Sequence, residues 1–279
     1  MTTSYDPLPG PLVSADWLRD NLDTVGVVDV RWSIPTGPMR DRYEEGHIPG
    51  AVFADLDTDL SAPAGPRGRH PLPTPQDFAV VRSRLGLTRP VVAYDGRGGA
   101  VAARLWWMLD SIGVPCAVLE GGLEAWGEPL DSGSVSPVHV PAGPIPWPAD
   151  RFIDADDMVP AIADGAVALD ARNAERFRGE PNDIDPRLGH VPGATSWPWE
   201  SNLDADARFM TSETLRSRFA ELGVVDGSNL IASCGSGVTG CHVLLAARVA
   251  GIDGGRLYAG SWSEWAADPD RPVETSPPG

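Results

Sequence analysis

Lysine is absent from the 279 residues, so all 22 basic side chains are arginine. No Schiff-base lysine and no phosphate-loop lysine can operate in such a chain. Cysteine is scarce, with Cys116, Cys234 and Cys241 alone and no CxxC pair. An odd, low count argues against a disulfide framework, and the spacing argues against a cysteine zinc site. The five histidines show no metal-ligand spacing such as HExxH, so neither a metal nor any other cofactor is expected. No apolar run approaches the ~18 residues that a membrane span needs. The opening MTTSYDPLPG has no basic segment leading into an apolar run, so no leader is expected and a reducing cytoplasm is the default. Positive charge is also short. The net charge of −17 excludes a general affinity for nucleic acid or an anionic membrane surface, and an anionic substrate would need a locally positive pocket.

The chain repeats itself once. Val28-Asp29-Val30-Arg31 matches Leu169-Asp170-Ala171-Arg172. Gly46-His47-Ile48-Pro49-Gly50-Ala51 matches Gly189-His190-Val191-Pro192-Gly193-Ala194, and Gly121-Gly122-Leu123-Glu124-Ala125-Trp126 matches Gly260-Ser261-Trp262-Ser263-Glu264-Trp265. Three ordered matches at offsets of 141, 143 and 139 residues predict a duplicated domain. Prolines at 129, 137, 141, 144, 146 and 148 mark a semi-rigid linker over 131–149 between domains at 8–130 and 150–275.

Within each half, strands and helices alternate. The first half reads as a helix capped by Ser14, strands at 25–30 and 52–54, a helix at 74–85, a strand at 91–94, a helix at 100–112 and a strand at 117–119. The second reads as helix 155–163, strand 166–169, helix 212–221, strand 229–233, helix 238–250 and strand 256–258. This order predicts an α/β fold, each half a mostly parallel sheet flanked by helices on both faces. Ligands bind such sheets beyond the carboxyl ends of the strands.

Cys234 falls at that kind of place. The buried-strand run Asn229–Ser233 ends on it, Gly235-Ser236-Gly237-Val238-Thr239 follows, and a helix continues. Main-chain amides in such a loop can turn inward as an anion-binding nest, and the helix N-terminus adds positive potential. Both favour a thiolate or a persulfide anion over the neutral thiol. Gly235 and Gly237 permit a close approach that side chains would block. Cys116, in a strand, and Cys241, inside the helix, lack this context and are assigned to packing.

The Cys-Gly-Ser-Gly-Val-Thr loop at 234–239 resembles the active loop of 3-mercaptopyruvate sulfurtransferases. The two Gly-His-x-Pro-Gly-Ala motifs and the segment at 260–265 are similar to signatures of the rhodanese superfamily in its tandem arrangement. The resemblance implies a double displacement in which Cys234 takes sulfur from a small-molecule donor and passes it to a thiol acceptor such as thioredoxin, or to cyanide. Thiosulfate-preferring members carry Arg-Lys after the cysteine, where this chain has Gly235-Ser236, so 3-mercaptopyruvate is the expected donor and thiosulfate the alternative. Gly235, Gly237, Val238 and Thr239 would cradle the substrate. Arg176 matches the family's substrate arginine. The family's next arginine falls at Asn182, a departure, and Arg187 is a candidate to replace it. The resemblance also implies a proton path through Ser236, His70 and Asp55, the last two from the first half. Asp95 aligns with Cys234 at an offset of 139 and cannot carry sulfur, so the first half is expected to be non-catalytic. His47 and His190, present in both halves, read as structural; His242 lies too far round its helix to assist, and Trp262 and Trp265 read as core.

Two readings of another class exist. A cysteine phosphatase would need arginine in a Cys-x5-Arg loop, and position 240 is glycine. A non-catalytic binding protein built from degenerate domains would fit Asp95 but not the intact loop at Cys234.

Overall fold

Runs of four apolar residues are suited to strands buried on both faces of a sheet. In the computed structural model, which describes residues 8–87 and 89–276, the runs Val91–Tyr94 and Leu230–Ser233 have all four residues buried. Residues 1–7, part of the segment read above for a leader, lie outside the described residues. The chain forms two compact units. The first comprises the described residues through Ala62, together with Pro73–Trp147 and Ala205–Arg208. The second comprises Pro63–Leu72, Pro148–Asp204 and the residues from Phe209 onward.

In the first unit the order is β1 (Leu12–Val13), α1 (Ala15–Asn21), β2 (Gly26–Asp29), β3 (Trp32–Ser33), β4 (Gly37–Pro38), α2 (Arg40–Glu45), β5 (Val52–Phe53), α3 (Pro75–Arg84), β6 (Val91–Tyr94), α4 (Ala102–Ser111) and β7 (Cys116–Leu119). The main sheet runs β1-β7-β6-β2-β5, every pairing parallel, and β3–β4 form a small antiparallel pair. Helix starts follow local chemistry. Ser14 accepts from the Trp17 amide, and Thr74, ahead of Pro75, accepts from the Asp77 amide. The proline-rich segment forms neither helix nor named strand. It lies along α3, with Val140 N donating to Ser83 O at 3.1 Å, and Trp147 stacks on Phe78 with ring centroids 5.4 Å apart.

In the second unit the order is α5 (Ala155–Ala163), β8 (Val167–Asp170), α6 (Ala174–Arg178), β9 (Thr195–Ser196), α7 (Ser212–Glu221), β10 (Leu230–Ser233), α8 (Thr239–Val249), β11 (Arg256–Leu257) and α9 (Ser261–Trp265). Its sheet runs β11-β10-β8-β9, again all parallel. Each unit is thus the expected α/β sheet of parallel strands flanked by helices.

The repeated motifs are joined to one another in the same way twice. Arg31 holds Asp29 with Nε at 2.9 Å from Oδ2 and reaches the Gly46 carbonyl at 2.7 Å. Arg172 holds Asp170 at 2.7 Å and reaches the Gly189 carbonyl at 2.9 Å. His47 bonds the Tyr43 carbonyl and stacks on that ring, and His190 does the same with Phe177. The buried ion pair therefore fixes the Gly-His-x-Pro-Gly turn to the end of a sheet strand, and the histidine ring locks the turn to the preceding helix. Both histidines are structural, as their occurrence in both halves suggested.

Removing one member of such a pair strands a buried charge. Asp29→Ala is expected to destabilise the protein by about 3–5 kcal/mol, read by urea unfolding, because the Arg31 guanidinium keeps its burial and loses its carboxylate. A loss below about 1 kcal/mol would mean that the carbonyls alone satisfy Arg31.

Candidate active site

At the carboxyl end of β10 the chain turns sharply before α8, and Cys234 occupies the turn. The residue is 3% exposed. A buried sulfur anion needs donors, and two main-chain amides supply them: Gly237 N lies 3.1 Å and Ser236 N 3.4 Å from Sγ. Gly237 has φ +77, and a Cβ there would sit 2.3 Å from the Ala259 carbonyl, so only glycine fits.

The third repeated motif builds this turn from below. Trp262 N donates to the Cys234 carbonyl at 3.0 Å, and Ser263 N donates to the Gly235 carbonyl at 2.9 Å. The first unit repeats the pair, with Leu123 N on Asp95 O and Glu124 N on Gly96 O. Fixing both carbonyls outward leaves the next amides facing the sulfur. Ser261, fully buried with φ +51, accepts from Cys234 N at 3.0 Å and donates to Tyr258 O at 2.8 Å. A non-glycine residue in the left-handed region is strained, and those two bonds hold it there. Sequence reasoning missed Ser261. Its signal was the place of Gly122 in the other copy, which also has positive φ.

The segment 63–72 packs into this unit although it lies in the first half of the sequence. His70 Nδ1 stands 2.8 Å from Ser236 Oγ, both side chains buried, so two of the expected helpers are in contact. Arg69, which sequence reasoning passed over, has its main-chain amide on Ser263 Oγ at 3.0 Å. Asp55 belongs to the first unit, where its carboxylate accepts the amides of Asp57 and Thr58.

Arg176 is set on α6, a short helix capped by Asn173 and closed by Gly179 at φ +91. Its Nε and Nη2 grip Asp185 at 2.8 and 2.6 Å. Burial pulls the Arg176 guanidinium down, but the hydrogen bonds and charge of Asp185, then the charges of Cys234 and Asp170, leave its pKa raised. A Cβ on Gly235 would meet Arg176 Nη2 at 2.9 Å and Arg69 Nη2 at 3.0 Å, so two guanidinium groups flank the residue after the cysteine. Arg187 is not the second of them. Its Nη1 is committed to the carbonyls of Asp268 and Arg271, at 3.2 and 2.9 Å, because the chain at 187 runs against the turn that follows α9. Arg187, the expected replacement for the charge missing at Asn182, thus has its Nη1 on main-chain carbonyls rather than beside Gly235. Asn182 itself is spent on the amides of Ile184 and Asp185.

The other two cysteines, His242 and the two tryptophans are packing groups. Cys241 is buried with its thiol on the Gly237 carbonyl, and burial pushes the Cys116 thiol up. His242 is enclosed by Phe209 and Trp199. Trp262 and Trp265 are core residues, Trp262 also lying 4.7 Å beneath the Arg172 guanidinium. Val238 and Thr239 form the junction into α8. Among the described residues no group of His, Cys, Asp or Glu could hold a metal ion, and no helix is long and apolar enough to cross a membrane.

The equivalent place in the first unit is filled differently. The Asp95 carboxylate accepts the amides of Val101 at 2.9 Å, Gly99 at 3.1 Å and Ala102 at 3.2 Å. Burial pushes its pKa up against the opposing pull of those amides. The protein's own carboxyl group occupies that nest.

Comparison with known proteins agrees with this geometry. Residues 14–129 match the Rhodanese-like domain. A probable 3-mercaptopyruvate sulfurtransferase of Pseudomonas aeruginosa is 46% identical over 89% of this chain and 92% of its own length. A putative thiosulfate sulfurtransferase of Mycobacterium tuberculosis is 38% identical over 90% of this chain and 91% of its own. The solved 3-mercaptopyruvate sulfurtransferase of Leishmania major superposes with a TM-score of 0.83 at 32% identity, covering 94% of this chain and 76% of that one. The chain belongs to the rhodanese family of sulfurtransferases and is an enzyme that takes sulfur from a donor substrate and hands it to a small acceptor.

Proposed function

We propose that the chain moves sulfur from 3-mercaptopyruvate through a persulfide on Cys234 to a thiol, such as that of thioredoxin, or to cyanide. The observation that carries this reading is the pair of amides at 3.1 and 3.4 Å from Cys234 Sγ. A buried sulfur anion so held can attack, and the persulfide anion that follows can use the same donors.

In the first half-reaction the Cys234 thiolate attacks the donor's sulfur. An S–S bond forms, the donor's C–S bond breaks, and its electron pair leaves on carbon as the enolate of pyruvate. The proton on the transferred sulfur ends on that carbon, giving pyruvate and a persulfide anion. Ser236 and His70, 2.8 Å apart, form a relay suited to moving it. In the second half-reaction an acceptor thiolate or cyanide attacks the outer sulfur and the Cys234 thiolate departs. Arg176 holds the donor's carboxylate, since Asp185 fixes its plane and leaves Nη1 to the ligand. The backbone of 235–239 frames the donor. The first unit carries no sulfur, because Asp95 fills its nest. A reducing compartment such as the cytoplasm suits a free catalytic thiol.

Thiosulfate is the second reading of the donor, favoured by the guanidinium groups beside Gly235, which suit a dianion. Comparison of kcat/KM for the two donors separates them, and the expected preference is for 3-mercaptopyruvate.

Intact-mass analysis after incubation with 3-mercaptopyruvate should show a gain of about 32 Da, mapped to Cys234, with pyruvate released. Cys234→Ser should abolish both, and a persulfide on Cys241 or Cys116 instead would overturn the assignment. Arg176→Gln should raise KM roughly tenfold or more with a smaller change in kcat, the signature of a lost ground-state contact. Ser261→Ala should cost about 1–3 kcal/mol of stability in thermal unfolding, since Cys234 N is left buried without its acceptor, and should lower kcat more than it raises KM.

A further inference from the structure

His70 stands in chain that is neither helix nor named strand, yet its Nδ1 keeps a 2.8 Å contact with Ser236 Oγ. A side chain on irregular chain holds such a distance when the main chain beside it is pinned. Two devices pin it. Gly65 and Gly68 exchange main-chain bonds at 3.0 and 2.9 Å, which closes a tight turn over Pro66 and Arg67. The amide of Arg69, the residue before His70, then donates to Ser263 Oγ at 3.0 Å. Gly68 has φ +101, and a Cβ there would lie 2.7 Å from the Gly260 carbonyl and 2.8 Å from Ser263 Oγ, so the turn sits directly on the start of α9. Ser263 also reaches the catalytic loop. Its amide donates to the carbonyl of Gly235, the residue before Ser236, at 2.9 Å, and its hydroxyl donates to Gly260 O at 3.1 Å. With that proton committed, the hydroxyl oxygen has a lone pair for Arg69 N. A closed ring results, from Ser236 through Gly235, Ser263, Arg69 and His70 back to Ser236, each step one peptide link or one hydrogen bond. The main-chain support of the loop is present twice, since Glu124 N serves Gly96 O in the first unit. Residue 124, however, carries a carboxylate 3.6 Å from Arg97 where residue 263 carries a hydroxyl.

We propose that Ser263 is a positioning residue for sulfur transfer: its hydroxyl holds His70 at hydrogen-bonding distance from Ser236 and so sets how fast the donor's carbon is protonated. The inference rests on the His70–Ser236 relay put forward above and adds to it the residue that aligns it. In the half-reaction that frees pyruvate, the C–S electron pair leaves on carbon, and the proton from the transferred sulfur ends on that carbon. A reacting group displaced by about 1 Å can cost about a hundredfold in such a step. In the half-reaction that delivers sulfur, a thiolate attacks, a thiolate departs, and no carbon takes a proton. Ser263 therefore bears on the first half-reaction and not on the second. Truncation to alanine removes the hydroxyl and keeps the main-chain bond from residue 263 to the Gly235 carbonyl, so the amides facing Cys234 Sγ stay in place.

That division gives the test. Ser263→Ala, His70→Ala and the double variant are compared with the unaltered protein. The readings are pyruvate formation in a single turnover at saturating 3-mercaptopyruvate, KM for that donor, and sulfur delivery to a small thiol from enzyme already loaded and freed of donor. His70→Ala should slow pyruvate formation about a hundredfold and Ser263→Ala about tenfold, since the second loosens what the first removes. For Ser263→Ala, KM and the delivery rate should stay within about threefold of the unaltered values. The double variant should match His70→Ala within about threefold, because a residue that acts through His70 has nothing left to align. Unchanged pyruvate formation in Ser263→Ala overturns the proposal, as does an equal loss of pyruvate formation and delivery, or losses that multiply in the double variant. If His70→Ala forms pyruvate at the full rate, the relay reading falls and the role of Ser263 falls with it. If the unaltered protein forms no pyruvate and Cys234 gains no sulfur, the 3-mercaptopyruvate reading itself is overturned, and both go with it.

Discussion

The sulfur of a cysteine only 3% exposed can carry negative charge when the groups around it replace the water it has lost. In this protein the replacement is main chain. The amides of Ser236 and Gly237 face Sγ because the two carbonyls before them are held away by Trp262 N and Ser263 N. Those holders belong to the short helix after the last strand, and Ser261 at its start also grips Cys234 N. Side chains then surround a sulfur already solvated by backbone: His70 in contact with Ser236, and the Arg69 and Arg176 guanidinium groups beside Gly235. None of these groups could work on a thiol whose loop was free to turn its amides elsewhere.

The two units use the same frame for opposite ends. In each, an aspartate–arginine pair at the end of a sheet strand grips the carbonyl of a Gly-His-x-Pro-Gly turn, and two amides support the loop after the central strand. What differs is the atom at the end of that strand. Asp95 satisfies its nest within the fold, while Cys234 leaves a nest that a transferred sulfur can share. Fold and chemistry thus separate cleanly, the first set by motifs present twice and the second by residues present once.

Much of this was legible in the sequence, for physical reasons. Buried parallel strands need unbroken apolar runs, so β6, β8 and β10 declared themselves, as did the helices after β6 and β10, and the strand–Cys–glycine loop–helix pattern identified Cys234. The elements α2, α6 and α9 went unread because helices of five or six residues are too short for periodicity to register; α9 was seen only as a repeated motif. Arg69 and Arg187 show the other limit. Both are single arginines in irregular chain, and spacing along the sequence favoured 187. Three-dimensional packing sets Arg69 beside Gly235, because segment 63–72 belongs to the second unit, while the side chain at 187 is drawn to two carbonyls near its own turn. No local pattern encodes which of two distant loops meets a third.

The spacing of amides in the first unit has a lasting consequence. Asp95 is served by donors four, six and seven residues ahead, while Cys234 is served by donors two and three ahead. A carboxylate reaches those farther groups with its longer side chain, and a thiol placed at 95 would stop short of them. Exchanging that one residue would not bring amides to the sulfur; the loop would have to be shortened at the same time. The two copies differ in backbone length as well as in side chain, so their nests are not interchangeable by substitution alone.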